Sequence, residues 1–487
     1  MEKSSNTLTP KKRKTPKTKH SLHQCSSVES KGIEKDTLID RRGRKQKQIW
    51  SGKEFDLPSN VSPSIPSLRS SPKIEFIRMK LVKQFNKKFF KVILNQSGFV
   101  PPIMTFERWL FRAKFLEQQD NTIEERDPVL PSHRYIDEVL VSDLVRAFID
   151  EDKARDLSLQ ISIECEHFVD EIISSCEKSK INDEVKVISH KHSLDVIYCK
   201  KLLKITHVHY DKVKTLFFSY GISDEIKDKD DDYKLKEFHK SLFVMLARYH
   251  GIQGHGYQAA CAEKVFETLT QYFGVTMECF ASPLNCYYNH YCSAFLDTDW
   301  CFGAVDNFFN FFPSEGSFEC NPPFVPAIML ATANHIFDIL KSSDNPLTFI
   351  IILPGWLDDP AIQLLEKSNF LSAYYQISKN EHGFCDGAQH QRMDRFRESP
   401  FDTFVFVIQN KAGKIKYPAT KEAEMAIRKS MATAIPSEAM KQRRLRDGRG
   451  FGDADGAGGV YKGKPKNRKR PKNLQKSPSS KKQKLSK

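Results

Sequence analysis

No two of the 11 cysteines in this 487-residue chain stand in a CxxC pair. Zinc sites of the finger or ribbon kind are therefore not expected, and the thiols read as reduced and mostly buried. The pairs His190/His192 and His207/His209 have no cysteine or carboxylate array beside them and read as ordinary histidines, so no metal is expected. No GxGxxG follows an apolar run, and GxxxxGKS/T is absent. Their lack removes the common dinucleotide fingerprint and the phosphate loop of ATPases. Long apolar runs are missing too. Phe349 to Leu353 is hydrophobic but far short of the ~20 residues a membrane span needs. The polar, basic start has no apolar signal core, so an intracellular protein with no membrane contact is expected. Hydrophobic residues make up only 39%, too few for one compact body of this length. Two or three folded units with polar tails fit better.

What is abundant is positive charge, a net +15. Such an excess favours a polyanionic partner through counterion release. Much of it sits at the ends. Residues 1–70 read as a disordered basic tail with Lys11-Lys12-Arg13-Lys14 and Arg41-Arg42-Gly43-Arg44-Lys45. Residues 431–487 read as a flexible basic tail with Lys466-Asn467-Arg468-Lys469-Arg470. Short basic runs of this type serve nuclear import or nonspecific nucleic-acid contact, and both place the protein near nucleic acid, with the nucleus the expected location.

Between the tails the texture changes once. From 71 to 250 the pattern is mainly helical. Phe76, Met79, Leu81, Val82, Phe85 and Phe89 recur at helical spacing with lysines between them, and Phe106 to Arg112, Asp137 to Ile149 and Glu164 to Cys176 continue in that style. Val196 to Cys199 and Leu202 to Thr206 flank Lys200-Lys201 as a hairpin. From 251 to 430, apolar strand candidates alternate with helices: Val275 to Ala281, Gly316 to Cys320, Thr348 to Leu353 and Thr403 to Gln409. That alternation predicts a parallel α/β sheet covered by helices. Ligands in such sheets bind outside the carboxyl ends of the strands.

Asn321-Pro322-Pro323-Phe324 occupies such an end. The Asn321 side-chain carbonyl and the Pro322 backbone carbonyl are two acceptors that can receive both hydrogens of an exocyclic amine such as adenine N6. Neither proline offers a competing N–H. Phe324 supplies a face for an unpaired base, a contact worth roughly 1–3 kcal/mol. A methyl donor would be held elsewhere. The Val275 strand runs into Ser282-Pro283-Leu284-Asn285 and an aromatic helix at Cys286 to Tyr288. Asp297 and Asp299 follow a further apolar segment, where an acid can bind a ribose hydroxyl. The glycine-rich stretch from Gly251 to Gln258 lets backbone approach a ligand.

Glu278-Cys279-Phe280-Ala281-Ser282-Pro283-Leu284-Asn285-Cys286-Tyr287, Ser293-Ala294-Phe295, Asp297-Thr298-Asp299 and Gly316-Ser317-Phe318-Glu319 running into the NPPF tetrapeptide closely resemble the phosphorylated-CTD-interacting factor family, the cap-specific adenosine N6-methyltransferases. The likeness is dense from about Tyr249 to Asn410 and thinner in the helical half, where Phe106, Trp109, Leu110 and Arg112 match an FxxWLxxR pattern. The resemblance implies a Rossmann-like class I methyltransferase domain preceded by a mainly helical, substrate-binding domain. It implies S-adenosylmethionine as donor and, as substrate, the 2′-O-methyladenosine next to the 7-methylguanosine cap of RNA polymerase II transcripts. The catalytic role falls on Asn321, Pro322, Pro323 and Phe324. Ser282, Pro283, Asn285, Asp297, Asp299 and Gln258 would lie at the donor, and Arg112, Arg146 and Trp356 at the capped RNA. Two departures stand out. Family members commonly carry an acid two positions after the tetrapeptide's phenylalanine, where this chain has Pro326. The WW module of animal members needs two tryptophans about twenty residues apart, and here no tryptophan follows Trp50 until Trp109, so WW-type contact with the polymerase tail is not expected. Two other readings stay open. The same tetrapeptide type serves methylation of other amines, such as internal RNA or DNA adenine or protein glutamine. A chain that keeps the fold but has impaired catalysis would be a nuclear RNA-binding or transcription-coupled protein.

Overall fold

Four helices open the folded part of the computed structural model, which describes residues 49–446 except 68, 121, 179–183, 253–257 and 393. Residues 1–48 and 447–487 of the expected tails, and most of the glycine-rich stretch, Gln253 to Tyr257, lie outside the described residues. The inner parts of those tails are structured, against expectation: the Ser51 amide donates to the Tyr287 carbonyl and the Ser64 amide to the Val305 carbonyl, and Glu438–Arg446 form a helix. Helix α1 (Pro72–Ser97) starts where the Ser71 side chain accepts from the Ile74 amide and Pro72 takes a first-turn position, and it stops at Gly98 with φ 73°. Helices α2 (Thr105–Gln119), α3 (Glu138–Arg146) and α4 (Glu151–Lys178) follow. An antiparallel meander comes next: β1 (Lys186–Ser189), β2 (Ser193–Tyr198) and β3 (Lys201–Thr206). Then come α5 (His207–Tyr220) and α6 (Asp231–Ile252). Phe85, Phe89, Phe106 and Trp109 are buried together, so the aromatic stripe is core.

The second half holds α7 (Glu263–Phe273), β4 (Met277–Glu278), α8 (Leu296–Asp299), β5 (Gly316–Cys320), α9 (Pro326–Ser342), β6 (Leu347–Pro354), α10 (Pro360–Glu366), β7 (Leu371–Ile377), β8 (Gly383–Cys385), β9 (Phe396–Glu398), β10 (Thr403–Gln409), α11 (Lys411–Lys416), α12 (Lys421–Met431) and α13 (Glu438–Arg446). Its main sheet has the order β4-β5-β6-β10-β7. The strands β4, β5 and β6 are parallel, whereas β10 is antiparallel to both β6 and β7. The expected all-parallel sheet is therefore mixed. Beyond β4 the sheet continues as two parallel bridges, Glu278 to Tyr291 and Tyr291 to Ala304. This α/β body, preceded by a helical region, is the Rossmann-like arrangement the sequence predicts.

Other expectations need correcting. Cys286 to Tyr288 forms turns, not a helix, because the buried Glu278 carboxylate accepts from the Tyr287 and Tyr288 amides and folds the segment back. The hairpin turn is Cys199-Lys200 and not Lys200-Lys201. Helix α6 runs across the boundary drawn at residue 250, and α12 across the one at 430. The two halves share one core: Leu284, Cys286, Tyr291, Phe295 and Phe302 pack into the cluster built by α1, α2, α5 and α6.

Candidate active site

The chain leaves β4 toward Tyr291 and Ala304 on one side and leaves β5 toward β6 on the other. Diverging connections open a crevice beyond the carboxyl ends of β4 and β5, the usual ligand position in a doubly wound sheet. A cleft of about 90 Å³ lies there. Cys279 and Phe280 line it from the end of β4, Ser293 to Phe295 and Asn307 to Phe309 from the two outer segments, and Pro323 and Ile328 from the β5–α9 connection. Leu110, Phe111, Lys114 and Phe115 of α2 form the opposite wall. The helical half therefore closes the site and does not merely precede it.

Asn321 to Phe324 join β5 to α9, whose first residue is Pro326. A proline is well placed there, since its fixed φ suits the helix and its missing N–H would have had no intrahelical partner. Within the tetrapeptide the Val325 amide donates to the Pro323 carbonyl at 2.7 Å, which tightens the turn. Among the described residues no hydrogen bond engages the Asn321 side chain or the Pro322 carbonyl, and Asn321 is only half-buried. The two acceptors are thus free beside a cleft that Pro323 lines. Phe324 is half-buried and meets Phe401 edge-on at 5.6 Å between centroids and Trp356 at 6.3 Å. Trp356 is 37% exposed, so the three rings form an aromatic corner open to solvent.

The SPLN segment and Gln258 come together, although residues before Gln258 are outside the described set. The Ser282 amide donates to Asn285 Oδ1 at 2.7 Å, and the Ser282 hydroxyl lies 2.8 Å from the same oxygen and 3.1 Å from Gln258 Oε1. Asn285 Nδ2 donates to the Gln258 carbonyl at 3.1 Å. Pro283 is buried within this knot. It fixes the loop after β4, and none of the four residues lines the cleft.

The two acids are engaged internally. Asp299 is fully buried and accepts from Ser293 Oγ at 2.6 Å, Thr298 Oγ1 at 2.9 Å and the Tyr249 hydroxyl. Burial pushes its carboxyl up to about 6, against the pull of those donors. Because Ser293 in turn accepts from the Phe295 amide at 3.1 Å, Asp299 shapes the cleft wall from behind. Asp297 pairs with Arg248 at 2.6 Å, and Arg248, itself fully buried, also holds Glu75 of α1 at 2.7 Å. These carboxylates act on the loop through the protein. Both acids expected at a ribose thus have protein partners here.

Arg112 is buried and bidentate to Asp137, with contacts of 2.8 and 2.6 Å, and Asp137 also caps α3 through the Leu140 amide. Its guanidinium has no free face at the cleft, and it does not line it. Arg146 is 81% exposed, 3.6 Å from Asp143, and also away from the cleft lining. Sequence reasoning missed the residues that do line it from the helical half, Leu110, Phe111 and Lys114. Lys114 is the notable one: it donates to the Asp127 carbonyl at 2.6 Å and pairs with Glu125 at 2.8 Å. It also missed Phe280 and Asn307 to Phe309, whose only signal is their position just after parallel segments.

Beneath the site, Glu278 and Glu319 are register partners on β4 and β5 and both are buried. Burial raises both carboxyls, Glu278 to about 7 despite the Tyr288 and Tyr287 amides, and Glu319 well beyond the usual range, helped by Glu278 itself. Among the described residues no group of three His, Cys, Asp or Glu is placed to hold a metal ion, and no helix is long and apolar enough to cross a membrane.

Residues 212–387 match the family model described as phosphorylated CTD interacting factor 1 WW domain. Here that stretch folds as part of the mixed sheet with its helices, and its tryptophans are Trp300 and Trp356. Two curated relatives, from Mus musculus and Homo sapiens, are each 35% identical over 235 residues and are named mRNA (2′-O-methyladenosine-N(6)-)-methyltransferase. The matched region is 46% of this chain and 32% of each relative, so the chain spans about a third of the length of the proteins it matches. The match runs from α5 through the tetrapeptide to β8, so it is the stretch holding the tetrapeptide and the loop after β4 that is similar to the phosphorylated-CTD-interacting factor model.

Proposed function

We propose that this chain methylates N6 of the 2′-O-methyladenosine next to the 7-methylguanosine cap of an RNA, with S-adenosylmethionine as donor, in the nucleus and close to transcription. The observation that carries the reading is the pair of unengaged acceptors, Asn321 Oδ1 and the Pro322 carbonyl, at the carboxyl end of β5 beside the cleft. The names of the relatives and the family description support substrate and setting.

The cleft fits a nucleoside-bearing donor in kind. Its β4 side is apolar, with Cys279 and Phe280, and Ser293 and Asn307 add polar groups to the lining. When bound, S-adenosylmethionine supplies an electrophilic methyl group on a sulfonium. Asn321 and the Pro322 carbonyl accept the two N6 hydrogens and turn the nitrogen lone pair out of the ring's conjugation. Their dipoles stabilise the positive charge that grows on nitrogen, an effect larger in the transition state than in the ground state. Phe324 holds the base by its face. The knot of Ser282, Asn285 and Gln258, and Asp299 behind Ser293, keep the donor-side loops fixed. No side chain need remove a proton before transfer, since the amine proton becomes acidic afterwards and leaves to solvent.

The decisive experiment compares methyl transfer to RNA starting with capped 2′-O-methyladenosine, RNA starting with capped guanosine, and the adenosine RNA without its cap. Transfer to the first alone is expected. Equal rates with and without the cap would replace this reading by a broader adenine methyltransferase.

A further inference from the structure

Lysines on one face of α1 have no carboxylate to answer them. Two other cations on that helix are matched, since Arg78 sits between Glu75 and Asp127 and Lys88 reaches Glu164 at 3.0 Å. Lys80, Lys83 and Lys87 fall at i, i+3 and i+7, which share a face, and none forms an ion pair among the described residues. The tip of the β2–β3 hairpin adds Lys200 and Lys201 to that face. Phe76 of α1 packs edge-on against Tyr198, the residue before the turn, at 5.7 Å, and Lys80 lies 5.2 Å from the Phe76 ring centre. Lys83 is half-buried and feels Lys201 and Lys87 as its charged neighbours, so burial and these two ammonium groups push its own down to about 7. Burial lowers Lys201 as well.

The turn that presents these groups is itself strained. Cys199 and Lys200 have φ of 46° and 64°, the left-handed region in which a two-residue hairpin favours Asn-Gly. Side chains with a Cβ cost about 1–2 kcal/mol each there. A surface that gathers five lysines, one of them partly desolvated, without a counter-charge is short of an anion.

We propose that the Lys80–Lys83–Lys87 face of α1 together with Lys200 and Lys201 binds the phosphodiester backbone of the substrate RNA beyond its capped end. The proposal rests on the RNA reading above and adds a second contact surface to it, because none of the five lysines lines the cleft. A chain of phosphates is the occupant that matches a row of point charges along a helix. Tyr198 is fully buried against Phe76 and Phe243, which fixes the hairpin tip beside α1 and so holds the two lysine groups together.

The test measures affinity of the full chain for a capped tetranucleotide and for a much longer capped RNA over a range of salt concentrations. Two double variants are compared with the wild type, Lys83→Gln/Lys87→Gln and Lys200→Gln/Lys201→Gln. A single-stranded contact contributes about 0.7 to the slope of log affinity against log salt. Each double variant should therefore lower the long-RNA slope by about 1.4, which is roughly 25-fold in affinity at 0.1 M salt when referred to 1 M. Tetranucleotide and S-adenosylmethionine affinities should stay unchanged, which also reports that the variants fold. An uncapped long RNA should show the same loss, so the result stands apart from the fate of the cap-adjacent reading. Unchanged long-RNA binding in both variants, or equal losses on the tetranucleotide, would overturn the proposal. So would wild-type binding to anionic lipid vesicles in place of long RNA.

Discussion

Replacing Glu278 by glutamine tests the buried carboxyl pair on which the tetrapeptide's strand rests. Glu278 and Glu319 face each other across β4 and β5 without exposure to water, and only Glu278 has amide donors, from Tyr287 at 2.7 Å and Tyr288 at 3.1 Å. Any charge on the pair therefore belongs to Glu278, while Glu319 stays protonated. The Glu278 carboxyl rises from an ordinary 4.5 to about 7. For an acid raised in this way the folded protein binds the proton more tightly than the unfolded chain does. Its stabilising share is complete below pH 4.5 and is lost as pH climbs through about 7. At about 1.4 kcal/mol for each pH unit, the loss is on the order of 3 kcal/mol. Glutamine keeps the shape and the acceptor oxygen but has no proton to lose. Urea unfolding of wild type and Glu278→Gln should give similar stabilities near pH 4.5, with the variant ahead by about 3 kcal/mol near pH 8. A difference that stays constant across that window would refute the argument, because it would mean that Glu278 ionises in the fold as easily as in the unfolded chain.

Asn321→Ala removes one of the two acceptors and should lower kcat by about 10²–10³ while S-adenosylmethionine binding by calorimetry is retained; wild-type turnover would sink the amine-clasp mechanism. Phe324→Leu keeps an apolar side chain but loses the ring face, and RNA affinity should fall by about 1–3 kcal/mol in a binding titration with no change in donor affinity. Arg112→Met leaves Asp137 buried without its partner and should cost about 3–5 kcal/mol in unfolding experiments; lost RNA affinity with unaltered stability would instead make Arg112 a substrate contact. Pro326→Glu puts the family's usual acid at the first position of α9, where the helix dipole favours it by about 0.3–1 kcal/mol, so the melting temperature should not drop, and methyl transfer reads out what the acid does for substrate.

Local chemistry was legible in the sequence and assembled chemistry was not. The tetrapeptide could be read because its acceptors and ring are four consecutive residues, and because the apolar run before it marks a strand end. The helices α1, α2 and α6 could be read from their apolar spacing, and Phe85, Phe106 and Trp109 lie in the core as that spacing requires. Strand direction could not. All eight residues of β6 and all seven of β10 are buried, and a uniformly apolar run looks the same whichever way it points. Strand β7 was missed because it lies at the sheet edge, where Ser372, Tyr374 and Gln376 alternate with less polar neighbours and dilute the signal. The expected strand Val275 to Ala281 shrinks to Met277–Glu278, since its outer neighbours supply only single bridges at Tyr291 and Ala304.

The same contrast shows in the charged site residues. An aspartate after an apolar segment is read as a ligand when its partners are unknown. Asp299 has three partners, and the farthest in sequence, Tyr249, lies on α6. Asp297 meets an arginine that also holds Glu75, a residue on the first helix of the fold. Arg112 reads as an RNA contact until Asp137 arrives 25 positions later to cap α3 and neutralise it. In each case a charge expected to face a ligand instead ties the helical half to the loops of the sheet or to itself. The cleft wall that remains is built from Phe280, Phe295, Phe308 and Phe111, four rings drawn from four separate segments. Parallel pairing and the packing of α2 bring them together, and neither leaves a mark on any one stretch of sequence. A donor pocket of that kind becomes visible only when the order of the strands is known, whereas the amine-binding tetrapeptide stands in the chain as a single word.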